Sequence, residues 1–371
     1  MGRNYGKCAL AAMMGLAASI AHAQSSVTIF GMLDAGVSYI SNQGGKSNWQ
    51  MADGIAVPNI FGMEGTEDLG GGLKAKFRLV NQFSLGNGSI IASPSNSSTT
   101  SGGLFAREAW VGLASDRFGS LTMGRQQDFM VDTLLADVGA DSALYVGGLY
   151  NFRDGPFAGL NLPDSPPGDA YDFDHMNGAE ALSNSVKYTS ADYSGLKFGG
   201  MYAFGGTAGN FSQNSASSYG VSYARGPLAV GAAYTNVKYA VLEGESIRNW
   251  GAGAHYTIGN ALLTLLYTNT RNTQNGAAVN MVEAGSTYRV TPAFGLGANY
   301  MYMWGNAGVD NNHAHQIDAV AQYSLSKRTT VYAETVYQIA NSGASASIDG
   351  TFGPSSSNKQ FVGRVGIQTR F

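Results

Sequence analysis

Few residues in this chain could do chemistry, and they are unevenly placed. Of its five histidines, four follow residue 24: His175, His255, His313 and His315. A hydrolytic Ser–His pair needs a third group to orient the histidine. His255 instead alternates with Ala252, Ala254, Tyr256 and Ile258 and reads as a single inward polar residue. His313-x-His315 could bind a metal weakly, but it stands in an Asn-rich loop with no cysteine and no spaced carboxylate motif. Asp172-x-Asp174-x-x-Asn177-Gly178 misses the EF-hand spacing by one residue. No G-x-S-x-G and no Gly-rich phosphate loop occurs in a strand-to-helix context. These absences point away from an enzyme and from a bound cofactor; at most the acidic loops hold divalent cations loosely. The informative feature is charge asymmetry. Residues 130–183 carry nine acids, among them Asp132, Asp137 and Asp141, against the single cation Arg153. Upstream stand Lys74, Lys76, Arg78, Arg107 and Arg125. Opposed fixed charges across a narrow water-filled gap select ions.

The elements that must position these charges are strands. From Leu73 to Phe83 the odd positions are mainly apolar, while Lys74, Lys76 and Arg78 share the other face, a period of two. Segments 282–290, 315–325 and 360–371 repeat it, and helical spacing fits none of them. Sixteen such segments are predicted: 27–40, 59–66, 72–84, 104–114, 119–127, 184–191, 195–205, 218–226, 227–238, 249–258, 260–271, 280–290, 294–304, 315–325, 329–340 and 360–371. Short connections with turn chemistry, such as Asp68-Leu69-Gly70-Gly71 and Ile258-Gly259-Asn260, alternate with long Asn-, Ser- and Gly-rich ones, including 41–58 and 85–103. Short turns at one end and long loops at the other describe an all-β, 16-stranded antiparallel transmembrane barrel. The predicted strands are also nearer the ~9–11 residues that cross a bilayer than the ~5–6 of soluble sandwiches. The third loop, 128–183, is out of proportion and has no period. Folded inward, it would set its acids against the cationic wall; left outside, it would be a solvated surface loop.

Composition agrees with a barrel. Glycine supplies 51 of 371 residues, only 13% are charged, and the formal net charge of −3 argues against a nucleic-acid partner. Arg3 and Lys7, the apolar stretch Cys8–Ile20 and Ala21-His22-Ala23 form a secretory leader, with cleavage expected between Ala23 and Gln24. The domain division is therefore a leader, 1–23, and a barrel, 24–371. The mature chain has 348 residues, no cysteine, and 20 cations against 25 acids. After the leader no apolar run approaches the ~20 residues of a membrane helix.

Specific runs then carry a family resemblance. Gly62-Met63-Glu64-Gly65-Thr66-Glu67-Asp68-Leu69-Gly70-Gly71-Gly72-Leu73-Lys74-Ala75 resembles the G-x-x-G-T-E-D-L-G-G-G-L-K-A run of Gram-negative general porins, especially β-proteobacterial ones. Phe105–Leu113, Gly119–Gln126 and Asn184–Ser190 resemble their fourth strand, their fifth, and the strand after the inward third loop. The opening Val27–Gly36 and the terminal Phe371 also match, so the resemblance spans the mature chain. It implies a general diffusion pore for ions and small hydrophilic solutes in an outer membrane. It further implies a homotrimer, contact with membrane lipid and lipopolysaccharide, and Phe371 as the signal for the barrel assembly machinery. Arg107 matches a position in the family's basic ladder, and the pattern sets Asp137 and Asp141 across the pore from Arg107, Arg78 and Lys74. Two rungs differ: Ile60, and Ala181 with Leu182, stand where relatives carry arginine, so anion preference does not carry over and a weak lean to cations is expected. Arg125 shares the parity of Leu121 and Met123, which leaves both a lumen and a subunit-interface position open to it. A substrate-specific channel, or a barrel acting as adhesin or receptor through its long loops, is the alternative.

Overall fold

In the computed structural model the described residues are 26–91, 103–163, 170–178 and 181–371, so the leader and its cleavage site lie outside them. Seventeen strands form one sheet. The first six are β1 (Ser26–Gln43), β2 (Lys46–Asp53), β3 (Ile60–Gly70), β4 (Leu73–Gln82), β5 (Glu108–Ser115) and β6 (Gly119–Gln126). After the long third loop come β7 (Leu182–Thr189), β8 (Leu196–Ala203), β9 (Ala216–Arg225), β10 (Leu228–Lys238), β11 (Ser246–Ile258) and β12 (Ala261–Asn272). The last five are β13 (Ala278–Arg289), β14 (Phe294–Gly305), β15 (His313–Ser324), β16 (Thr329–Ala340) and β17 (Lys359–Arg370). All pairings are antiparallel, and β17 closes on β1 from Met32↔Arg370 to Ile40↔Val362. Closure leaves no sheet edge exposed to lipid.

Seventeen strands make sixteen staves. The lower half of β1 pairs with β3 and its upper half with β2, so β2 and β3 are two pieces of one stave. The long loop expected at 41–58 is therefore mostly strand, a hairpin turned at Gly44-Gly45. The stave breaks at 54–59, where Pro58 has no N–H to give a ladder. The freed backbone is held by Asp34, whose Oδ2 accepts from the amides of Ile55 at 2.8 Å and Ala56 at 3.1 Å.

Burial is inverted relative to a soluble protein. In β12, Leu263 and Leu265 are 42% and 54% exposed, whereas Thr264 and Thr268 on the other face are 7% and 0%. In β17, Val365 and Ile367 are exposed while Gln360 and Arg364 are buried. An exposed apolar face around a closed sheet is stable against hydrocarbon, and polar residues turned inward suit a wet interior. No helix among the described residues is long and apolar enough to cross a membrane.

The C-terminus is locked into the barrel seam. Phe371 exchanges two backbone hydrogen bonds with Gly31, each 3.1 Å, and its ring covers the space a Cβ at residue 31 would fill. Deleting Phe371 is expected to leave export intact and to lower the yield of assembled protein. Extracts separated without boiling check this, and an unchanged yield of folded oligomer refutes it.

Candidate channel constriction

Between β6 and β7 the chain runs from 127 to 181. It begins with a wide helical segment, Met130–Asp137, whose Met130 and Leu134 are fully buried against β9, β10 and β11. Room for it comes from glycines on the inward face of the wall. Gly199 is paired with Gly220, and Gly231 with Gly253. A Cβ at Gly231 would stand 2.7 Å from Val138, at Gly253 2.5 Å from Ala140, and at Gly285 2.6 Å from Ser142. Such a trough lets backbone and short side chains approach the wall closely.

Polar contacts extend the attachment round the barrel. The Phe129 amide donates to Ser218 of β9 at 2.9 Å. His255 of β11 bonds the carbonyl of Val138, which places the histidine on the inward face as its neighbours implied. Asn249 of β11 donates to Phe173 O at 2.9 Å, and Asn272 of β12 to Leu160 O at 2.8 Å. The Ser142 amide donates to Glu283 of β13 at 2.8 Å, and Asn299 of β14 donates to its hydroxyl at 2.6 Å. Gln316 of β15 donates to Tyr150 O at 2.9 Å, and the Tyr150 hydroxyl lies 2.8 Å from Ser38 of β1.

Charge pairing differs from the expected pattern. Asp137 pairs with Lys197 of β8 at 2.8 Å, not with Arg107, Arg78 or Lys74. Asp141 is fully buried and lies 2.6 Å from Arg153, whose Nε lies 2.9 Å from Asp174 and whose Nη1 is 3.9 Å from Glu283. The physical reason is reach: the helical segment lies on the glycine trough of β8–β14, opposite the wall that carries Arg78. The same loop supplies its own counter-ion in Arg153. Burial alone would lower the guanidinium pKa, but Asp141 and Asp174 beside it hold it well above the usual value. Asp132 pairs with Lys187 of β7. Burial pushes the Asp132 carboxyl up, the Lys187 charge draws it back, and Glu108 adds to the rise.

On that wall Arg78 is bound by two acids, Glu64 of β3, directly opposite it, and Glu108 of β5 at 3.3 Å. Sequence reasoning assigned neither acid a role, although the cross-strand register alone pairs Glu64 with Arg78. Lys76 shares the inward parity of Arg78. Lys74 is held 3.0 Å from Asp116 in the β5–β6 turn, so it belongs to the rim and not to the narrow zone. Arg107 donates to Gln82 at 2.5 Å and to Asn177 O at 3.2 Å, tying the far end of the loop to the wall. Arg125 stands opposite Ala109, on the parity of the exposed Val111 and Leu113, and donates to Ala181 O at 2.8 Å and Ser183 at 2.7 Å. It joins strand ends on the outer parity and leaves the predicted wall set. His313 and His315 open β15 instead of lying in a loop, and His315 stacks on Tyr302 at 4.7 Å. Among the described residues no group of three or more His, Cys, Asp or Glu side chains could hold a metal ion.

Known proteins fit this geometry. The family model described as Gram-negative porin matches residues 9–344. The chain belongs to the Gram-negative porin family. Outer membrane porin protein 32 of Delftia acidovorans is 31% identical over 343 residues, 89% of this chain and 89% of that protein. An outer membrane porin protein of Bordetella pertussis is 29% identical over 293 residues, 70% of this chain and 68% of its own. The anion-selective porin from Comamonas acidovorans superposes with a TM-score of 0.74 at 25% identity, covering 94% of this chain and all of that one, 100%. The trimer form of OmpT from Vibrio cholerae shares the fold, with a TM-score of 0.65 at 17% identity over 94% of this chain and 99% of that one. The porin is thus an outer-membrane barrel of a Gram-negative bacterium, and its relatives are channels.

Proposed function

We propose that this porin is a general diffusion channel whose third loop lies inside the barrel against β7–β15 and leaves a water path along β3–β5. One observation carries the reading: the loop's bonds reach half the barrel or more, while Arg78, Lys76, Glu64 and Glu108 stay on wall it does not cover. Arg107 and Asp132 bound the path on the loop side. Most aromatics face outward, as the exposed Tyr188, Phe198 and Tyr288 do, which supports an unspecific pore over a stacked sugar track. Lys187 and Lys197 each take one loop acid and Arg153 sits among three carboxylates, so the loop keeps a net negative charge, and a weak lean to cations rests on it together with Glu64 and Glu108.

The active unit is a homotrimer that contacts lipid and lipopolysaccharide through its outer face and reaches the membrane through the assembly machinery. Exposed Trp49 and Met51 on β2, Val111 on β5 and Met123 on β6 offer apolar surface in one sector of the outer face. Single-channel recording tests the whole reading, with openings in groups of three expected.

Reversal potential tests the ion path. Arg78→Gln leaves two acids without their cation and should shift it towards cations. Asp137→Asn frees Lys197 and should shift it towards anions. Both shifts should shrink at 1 M salt, where the Debye length is about 3 Å. Unchanged potentials at low salt in both variants would remove these residues from the ion path. A barrel with no conductance at all would favour the adhesin or receptor alternative.

A further inference from the structure

The short-turn end of the barrel holds a feature that diffusion does not use. Two adjoining cavities of about 360 and 520 Å³ share Tyr145 and Gln322 as lining. Lys327, Arg328 and Arg370 line the first, and Arg289 the second. All four are exposed, and none of them takes part in an ion pair. The one acid in the lining, Glu334, is 3% exposed and set deeper. Several other inward cations are matched instead: Lys74 to Asp116, Arg78 to Glu64 and Glu108, and Arg364 to Asp34. Uncompensated guanidinium groups gathered in one sector attract anions and can hold a carboxylate through two parallel hydrogen bonds.

The roof of the same space is apolar. Leu144 is 49% exposed although its neighbours Ala143 and Val146 are buried, and it stands beside Tyr145 on the underside of the loop. Leu144 and Tyr145 together give this space an apolar side, and a ligand that covered it would gain buried apolar area. The cavity size suits a small organic molecule.

The geometry points to a vestibule site for a small organic carboxylate with an apolar body, its carboxylate held by Arg328 and Arg370 and its ring or branched chain against Leu144 and Tyr145. The inference rests on the channel reading only for its placement below the constriction. It narrows the solute class from any small hydrophilic molecule to one retained by charge and apolar contact together.

Benzoate, acetate and inorganic phosphate are the probes, titrated into the full-length folded porin in detergent by calorimetry. Benzoate should bind saturably and more tightly than acetate, because only benzoate covers the roof. Arg328→Gln with Arg370→Gln should weaken benzoate about tenfold or more, the loss expected for removing charged hydrogen-bond donors. Leu144→Ser should bring benzoate down to the level of acetate while leaving acetate unchanged. Circular dichroism checks that each variant is folded. No saturable benzoate heat, or equal affinity in the double variant, overturns the site; phosphate binding as tightly as benzoate overturns the apolar part and leaves a bare charge cluster. Step conductance in potassium chloride is read separately on the same preparations. Its absence defeats the channel reading, and benzoate heat without it still counts for the site.

Discussion

Arg153→Met should open and loosen the pore. The guanidinium is fully buried, with Asp141 at 2.6 Å, Asp174 at 2.9 Å and Glu283 at 3.9 Å around it. Methionine keeps much of the volume and removes the only cation, so three carboxylates are left facing one another out of water. Removing one partner of a buried pair costs about 3–5 kcal/mol. The barrel ladder is untouched, so the cost falls on the loop, which has to leave the wall at β12–β13 to hydrate its acids. Larger and noisier single-channel steps should follow, with faster swelling of porin-loaded liposomes in larger sugars. Thermal unfolding of the barrel itself should move little. Arg153→Lys keeps the charge without the planar fork and should lie between the two. Adding Asp141→Asn and Asp174→Asn to Arg153→Met should recover much of the loss. Wild-type steps in Arg153→Met would show that this cluster does not hold the loop.

The staves were legible because alternation is local: each strand states its two faces within ten residues, and all sixteen predicted segments begin within four residues of an observed strand. β2 escaped because Trp49 and Met51 alternate over only eight residues, between glycines on one side and the break at 54–59 on the other. Charge partners in the third loop were illegible for a different reason. A segment without a period has no register, and Arg153 meets Asp174 and Glu283 across separations that no spacing rule connects. Composition showed the excess of acids but said nothing of which of them Lys187, Lys197 and Arg153 would pair with. Parity worked at Lys76 and Arg78, and it raised the right question at Arg125, which only pairing opposite Ala109 answered. Phe371 was singled out only by resemblance, as an assembly signal, and its pairing with Gly31 of the first stave emerges from the structure.

The glycine trough gives the opposite expectation to Arg153. In the sequence these glycines look like turn residues or weak points in strands, and only the pairing of β8 through β14 lines them up beneath the loop. Gly297 of β14 is the clearest member. A Cβ there would stand 2.6 Å from Val146 of the loop, while its wall neighbours Val320 and Thr287 are at 3.1 and 3.3 Å. The tightest obstacle is therefore the loop and not the sheet. Gly297→Leu should lift this part of the loop off the wall and towards β3–β5, at a strain of about 1–3 kcal/mol. Because the loop keeps its Arg153 anchor, it is displaced into the water path instead of released from it. Step conductance should fall, without the added noise expected of Arg153→Met. Val146→Ala removes the methyl groups that meet the new side chain, so the double variant should recover conductance while Val146→Ala alone changes little. That rescue separates displacement of the loop from damage to the stave, which a loop substitution could not repair. If Gly297→Leu conducts as the wild type does, or if Val146→Ala fails to restore it, the loop does not rest in the trough and the water path must be sought elsewhere in the barrel.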